Sequence, residues 1–164
     1  MILRMTLSKF FICILSVMIC GCGPSAKQIA EQQARQRFRE SVGAVKVCTT
    51  GSTYTEFREK RLALETSYAA NQSALANETN KIDELVQVMR ATDSLWSLSV
   101  QMQAEFLDFV FPESRRSEMA EAMKTIKDGS GYTWAELKSQ GDFPRNYVRL
   151  GLSQISSQCD DLLK

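Results

Sequence analysis

The sequence predicts an all-α domain, a bundle of four or five helices. Apolar residues recur at steps of three, four and seven along most of the chain, which is helical periodicity. Alternating runs of Val, Ile or Thr, which would indicate strands, are scarce. Capping patterns and prolines stand where the periodic segments begin, as they do at helix N-termini.

The first residues have the character of an export signal. Residues 1–9 carry two basic side chains and no acid, and residues 10–20 are apolar except for Ser16. A short basic segment followed by an apolar core of this length is typical of a secretory signal. The apolar run is shorter than the roughly 20 residues that a transmembrane helix needs.

The apolar run ends in Ile19-Cys20-Gly21-Cys22. This segment resembles the lipobox of bacterial lipoproteins, although Cys20 stands where Ala, Ser or Thr is usual. The resemblance implies cleavage before Cys22 and three acyl chains on that residue, enough for stable attachment to a membrane. Gly23 in place of Asp implies the outer membrane, on its periplasmic side, rather than the inner membrane or the cell surface. The alternative is an ordinary signal peptide cut near Gly21 or Gly23, without lipid.

The chain is expected to divide into a signal peptide at 1–21, a lipid anchor with a polar spacer at 22–40, and a helical domain at 41–164. Cleavage leaves about 140 residues, enough for one domain with a core. The 20 Lys and Arg residues nearly balance the 19 Asp and Glu residues. Because there is no basic excess, nucleic acid is not an expected partner.

The segment 53–110 predicts a helical hairpin. Thr53 and Glu56 have the spacing of a capping box, so a helix should begin there. Apolar stripes run on both sides of Asn77–Asn80, whose residues favour turns and caps, and the second stripe includes Met89, Trp96 and Val100. A hairpin broken at these residues is the favoured arrangement, because a small domain gains by folding the two faces together. One long helix is the alternative.

Prolines and a second capping box predict the remaining helices. Pro112 opens one that stops at Gly129, the box at 133–136 opens a short one, and Pro144 opens the last. The last helix has the most regular apolar stripe in the chain, which consists of Val148, Leu152, Ile155, Cys159 and Leu162.

Two cysteines of the predicted domain, Cys48 and Cys159, are expected to form a disulfide in an oxidising compartment. The alternative is two buried free thiols packed as small apolar groups. The chain has no His. A catalytic cysteine activated by His, common zinc sites and a Ser-His-Asp triad are therefore not expected.

Other candidate sites have plain structural interpretations. The segment 128–137 resembles a calcium loop, but its first ligand position would be Ile126, so we interpret it as a turn. Carboxylate pairs one helical turn apart, such as Glu118 and Glu121, are typical of solvated helix faces.

Trp96 is predicted in the core, whereas Trp134 and Tyr132 are candidate interface residues. No metal and no cofactor are expected.

These patterns predict a membrane-anchored interaction module that binds an envelope protein and is not an enzyme. By analogy, it would act as an inhibitor or immunity lipoprotein, or as an exclusion lipoprotein. The alternatives are a peptidoglycan-acting enzyme with a lone carboxylate and a carrier of lipid or another hydrophobic ligand. The oligomeric state and the partner's identity are not specified by the sequence.

Overall fold

The computed structural model describes residues 25–104, 113–126 and 143–164. Within these ranges the chain is all-α, as predicted, and contains no strand. The five α-helices are α1 (Ala26–Cys48), α2 (Tyr54–Ala70), α3 (Thr79–Ala104), α4 (Glu113–Thr125) and α5 (Phe143–Leu163), with a 3-10 turn at Ala76–Glu78. No helix in the described ranges is both long and apolar enough to cross a bilayer. The predicted short helix at 133–141 lies outside these ranges.

The chain divides into two compact units, Met1–Gln32 and Gln33–Lys164. In the first unit, the described residues form the start of α1. The Ser25 backbone N–H donates to Gln28 Oε1 at 2.8 Å, and the Gln28 backbone N–H donates to Ser25 Oγ at 3.2 Å. This reciprocal capping satisfies two N–H groups at the helix start.

The hairpin favoured for 53–110 is present in the second unit over the described residues 54–104, but its break lies at 71–78, earlier than the predicted Asn77–Asn80, since α2 already ends at Ala70 and α3 begins at Thr79. Thr53 and Glu56 form the predicted capping box: the Thr53 N–H donates to Glu56 Oε2 at 2.8 Å, and the Glu56 N–H donates to Thr53 Oγ1 at 3.3 Å. Turns over residues 71–75 and the 3-10 turn separate α2 from α3. The Tyr68 hydroxyl then donates across the hairpin to Asp83 Oδ1 at 3.0 Å.

Helix α3 is the central element of the second unit, because it contacts α2, α4 and α5. Its first half packs with α1, α2 and the end of α5 in one core cluster, and its second half packs with α4 and the start of α5 in another. Trp96 and Leu152 contact both clusters. The predicted apolar stripe of α5 is buried, except that Leu152 is half-buried.

Val100 is an exception to the predicted pattern. The apolar stripe of α3 places it with buried residues such as Met89, yet Val100 is 42% exposed. Trp96, also predicted in the core, is half-buried. The stripe fixes a helix face but not how far the neighbouring helices cover that face.

Helices α3 and α5 lie very close together at Gly151. A Cβ atom placed there would lie 2.1 Å from Thr92 Oγ1 and 3.1 Å from Ile126 Cδ1. Thr92 is fully buried, and its hydroxyl donates to the Val88 carbonyl at 2.8 Å. Its rotation would therefore break that hydrogen bond, so a side chain at position 151 would force the helices apart.

We expect Gly151→Ala to lower the free energy of unfolding by about 1–3 kcal/mol, the usual range for overpacking a core. Gly43→Ala is the matched control in α1, where an added Cβ meets nothing within 4 Å. It should stabilise the fold by roughly 0.5–1 kcal/mol, because Ala is the better helix former. Urea unfolding measures the free energy of unfolding of both variants. If the two substitutions changed it by the same amount, the close contact of α3 with α5 at Gly151 would be contradicted.

Candidate functional site

A cleft of about 440 Å³ opens at the end of α1, and we call it the loop cleft. Its walls come from the end of α1 and the loop that follows it, from α3, and from α5. The lining residues are Cys48, Thr49, Thr50, Gly51, Ser52, Trp96, Ser99, Val100, Val148, Arg149 and Leu152.

The loop side of the cleft is ordered by hydroxyl groups that turn back onto α1. Thr49 Oγ1 donates to the Lys46 carbonyl at 2.7 Å, and Thr50 Oγ1 donates to the Val47 carbonyl at 2.9 Å. Ser52 Oγ donates to the Cys48 carbonyl at 2.7 Å. The Lys46 and Val47 carbonyls also accept from the backbone N–H groups of Thr49 and Thr50, at 3.0 and 3.3 Å, so side-chain and backbone hydrogen bonds together fix the loop on the last turn of α1.

Trp96 forms a rigid wall of the loop cleft. Its ring lies 5.5 Å from that of Phe57 and 6.0 Å from that of Tyr54, both in tilted arrangements that aromatic pairs favour. Exposed Val100 stands one helical turn further along α3. Among the described residues that line this cleft, Arg149 is the only one with a charged side chain. The cleft therefore combines an aromatic wall, an apolar rim and one positive charge.

A second cleft, of about 530 Å³, lies between α3, α4 and α5, and most of its lining residues have polar or charged side chains. It is lined by Glu84, Gln87, Val88, Lys124, Thr125, Gln154, Ser157 and Gln158. Among the described residues, Gln158 Oε1 is a buried acceptor without a hydrogen-bond donor.

A cluster of four charged residues joins α2 to α3. Arg61 is 9% exposed and donates to Glu65 Oε1 at 2.5 Å and to Asp93 Oδ2 at 3.4 Å. Arg90 donates to Glu65 Oε2 at 2.7 Å. Burial raises the pKa of Glu65, but the hydrogen bonds from Arg90 and Arg61 and their charges outweigh it and hold that pKa below its usual value. Glu65 is therefore ionised at neutral pH and is poorly suited to donate a proton.

The sequence-predicted site residues fall into two groups. Cys22, Tyr132, Trp134 and the calcium-like segment 128–137 lie outside the described residues. Cys48 and Cys159 lie in one core cluster, both as free thiols, and their pairing stays a prediction. Glu118 and Glu121 are exposed on α4, as a solvated face would be. Within the described ranges, no group of three or more Cys, Asp or Glu residues could hold a metal ion.

The loop cleft was not predicted from the sequence. Trp96 is its central residue, and helical spacing beside apolar neighbours placed it in the core. The sequence did not mark Arg149 as a site residue, because a single basic residue in a helix is common. Comparisons with known protein families, with curated proteins and with solved structures gave no match to this chain.

We expect Arg61→Met to lower the free energy of unfolding by about 3 kcal/mol, the low end for breaking a buried ion pair, because Glu65 keeps Arg90. Arg90→Met is the matched control, since the Arg90 side chain is 63% exposed. It should cost less than about 1 kcal/mol, as exposed pairs do. Urea unfolding at pH 7 compares the two. A smaller cost for Arg61→Met than for Arg90→Met would show that burial does not decide the energy of this cluster.

Acid should weaken the fold through Glu65. Its folded-state pKa lies below the ordinary 4.5. Its ionisation therefore stabilises the fold above that value, and this stabilisation is lost as the pH falls through the lower folded-state pKa. Unfolding measured between pH 6 and 3 should lose less stability in Glu65→Gln than in the wild type. Glu59→Gln changes an exposed position of the same helix and should lose as much stability as the wild type over this pH range. If Glu65→Gln also lost as much as the wild type, Glu65 would not be the source of the acid sensitivity.

Proposed function

We propose that the chain is a lipoprotein held by acyl chains on Cys22 to the periplasmic side of the outer membrane, where its helical domain binds another envelope protein. Two kinds of observation support this. The N-terminal signal with its Gly-Cys ending supports export and lipidation. The loop cleft supports a role in protein binding.

The loop cleft is the single structural observation that carries the binding proposal. Protein interfaces are enriched in Trp and Arg, and their strongest contacts lie around such residues beside apolar surface. Trp96, Val100 and Arg149 bring these groups together on a wall fixed by aromatic contacts. A wall that is already ordered loses little conformational entropy when a partner binds.

The chemistry of the cleft also favours some partners over others. An extended segment with an apolar side chain for the Val100 rim and a carboxylate for Arg149 would suit it. A carrier of lipid would use an enclosed apolar cavity, whereas the loop cleft is open to solvent and about half polar. The membrane anchor makes weak contacts sufficient for binding, because it confines the protein and its partner to one surface and raises their effective concentration.

Crosslinking in intact cells tests the proposal, with a tagged full-length chain and mass spectrometry of the captured protein. Wild type should carry a palmitate label and capture one dominant envelope protein, and Cys22→Ala should lose both the label and the capture. The double variant Val100→Gln/Arg149→Glu should keep the label but lose at least about tenfold in capture, equivalent to about 1.4 kcal/mol.

The matched control is Leu62→Gln/Arg58→Glu, which changes an exposed apolar residue and an Arg on α2, away from the loop cleft. Leu62 is 47% exposed, close to the 42% of Val100. This control should capture the partner normally, and circular dichroism should confirm that both double variants fold. Capture of abundant bystanders alone, or equal losses in the two double variants, would contradict binding at the loop cleft. The two alternative functions, a peptidoglycan-acting enzyme and a lipid carrier, would then be tested by assays of wall hydrolysis and of lipid binding.

A further inference from the structure

The two cysteines of the compact unit lie in the same core but differ in their access to solvent. Cys48 stands at the end of α1, lines the loop cleft and is 8% exposed. Cys159 lies in α5 and is fully buried, at 0%. Both residues are buried, but Cys48 borders the loop cleft, so a reagent that enters this cleft lies closer to Cys48 than to Cys159.

An ion pair beside the cysteines holds their two helices together. Lys46 Nζ contacts Asp160 Oδ1. Lys46 stands two residues before Cys48, and Asp160 directly follows Cys159. Both sulfur-bearing residues belong to the same core cluster. This contact joins the end of α1 to the last turns of α5 within one or two residues of the two thiols.

We propose that Cys48 is the site at which a small external disulfide enters, and that Cys159 is the resolving thiol. The Cys48 thiolate attacks one sulfur of the external disulfide R–S–S–R, forming Cys48–S–S–R and releasing R–S⁻. Cys159 loses its proton to solvent and attacks Cys48 Sγ. The second R–S⁻ leaves, and the Cys48–Cys159 disulfide forms. The external disulfide is the oxidant, because it ends as two thiols.

The environment of Cys159 supports this order. Burial, and then the nearby charge of Asp160, raise the pKa of the Cys159 thiol to about 12, against the opposing charge of Lys46. Because the thiolate is the attacking species, Cys159 is a poor first nucleophile at neutral pH. It becomes effective only after a disulfide at Cys48 is held beside it. The inference concerns the domain itself and does not depend on the proposed protein partner.

Site-resolved thiol labelling tests the order in the full chain, reduced and held in its membrane. In the folded wild type, N-ethylmaleimide should label Cys48 at least tenfold faster than Cys159, as measured by mass spectrometry of the two peptides. In urea the two rates should become similar, so the difference belongs to the fold. This arm needs no variant. Equal rates in the folded protein, or faster labelling of Cys159, would overturn the proposal.

Oxidised glutathione tests the second step. The wild type should end with a Cys48–Cys159 disulfide and no bound glutathione, while Cys159→Ser should retain glutathione on Cys48. Cys48→Ser should leave Cys159 unmodified as long as the protein is folded, which thermal melting checks. If the wild type kept glutathione on Cys48 to the same extent as Cys159→Ser, Cys159 would not be the resolving thiol.

Discussion

The close packing of α3 against α5 is the constraint on which the rest of the second unit depends. Gly151 lets the two helices approach at Thr92, whose hydroxyl is already bound to the Val88 carbonyl. Both core clusters are built on these two helices, and Leu152, next to Gly151, contacts both clusters. A side chain at position 151 would separate the helices at the point where the clusters meet, so its effect would reach α1, α2 and α4 together.

The loop cleft is a consequence of this arrangement. Trp96 lies one helical turn beyond Thr92 on α3, and Arg149 lies two residues before Gly151 on α5. Where the helices pass this contact, the end of α1 and its loop complete the walls. The hydroxyl groups of that loop bind the last carbonyls of α1, which keeps Cys48 at the edge of the cleft. The shape of the loop cleft and the access to Cys48 are therefore set by the same helix end.

The charged cluster of α2 and α3 has a different role, because two of its ion pairs cross the hairpin. Glu65 pairs with Arg61 within α2, whereas Asp93 and Arg90 reach from α3 to Arg61 and Glu65, so the buried Arg61 has its full set of partners only where α3 lies alongside in this register. Apolar stripes alone would allow one helix to shift along the other by one helical turn, because apolar residues would still face apolar residues. In the sequence these four residues look like ordinary surface charges, so the burial of Arg61 and the partial burial of Glu65 and Asp93 were not predicted.

The sequence by itself determined the helical class and the capping box at Thr53, because these depend on neighbours within a few residues. It also predicted a break in the hairpin, although the structure places that break at 71–78 rather than at Asn77–Asn80. It also predicted the buried faces, since apolar spacing follows the helical repeat. It did not determine that Trp96 and Val100 border a cleft, or that Cys48 is more open than Cys159. Those features depend on how far one helix covers another, which the crossing of α3 and α5 decides. The way in which α3 and α5 cross is set by contacts such as that of Gly151 with Thr92. These residues are far apart in the chain, so no local sequence pattern predicts their contact.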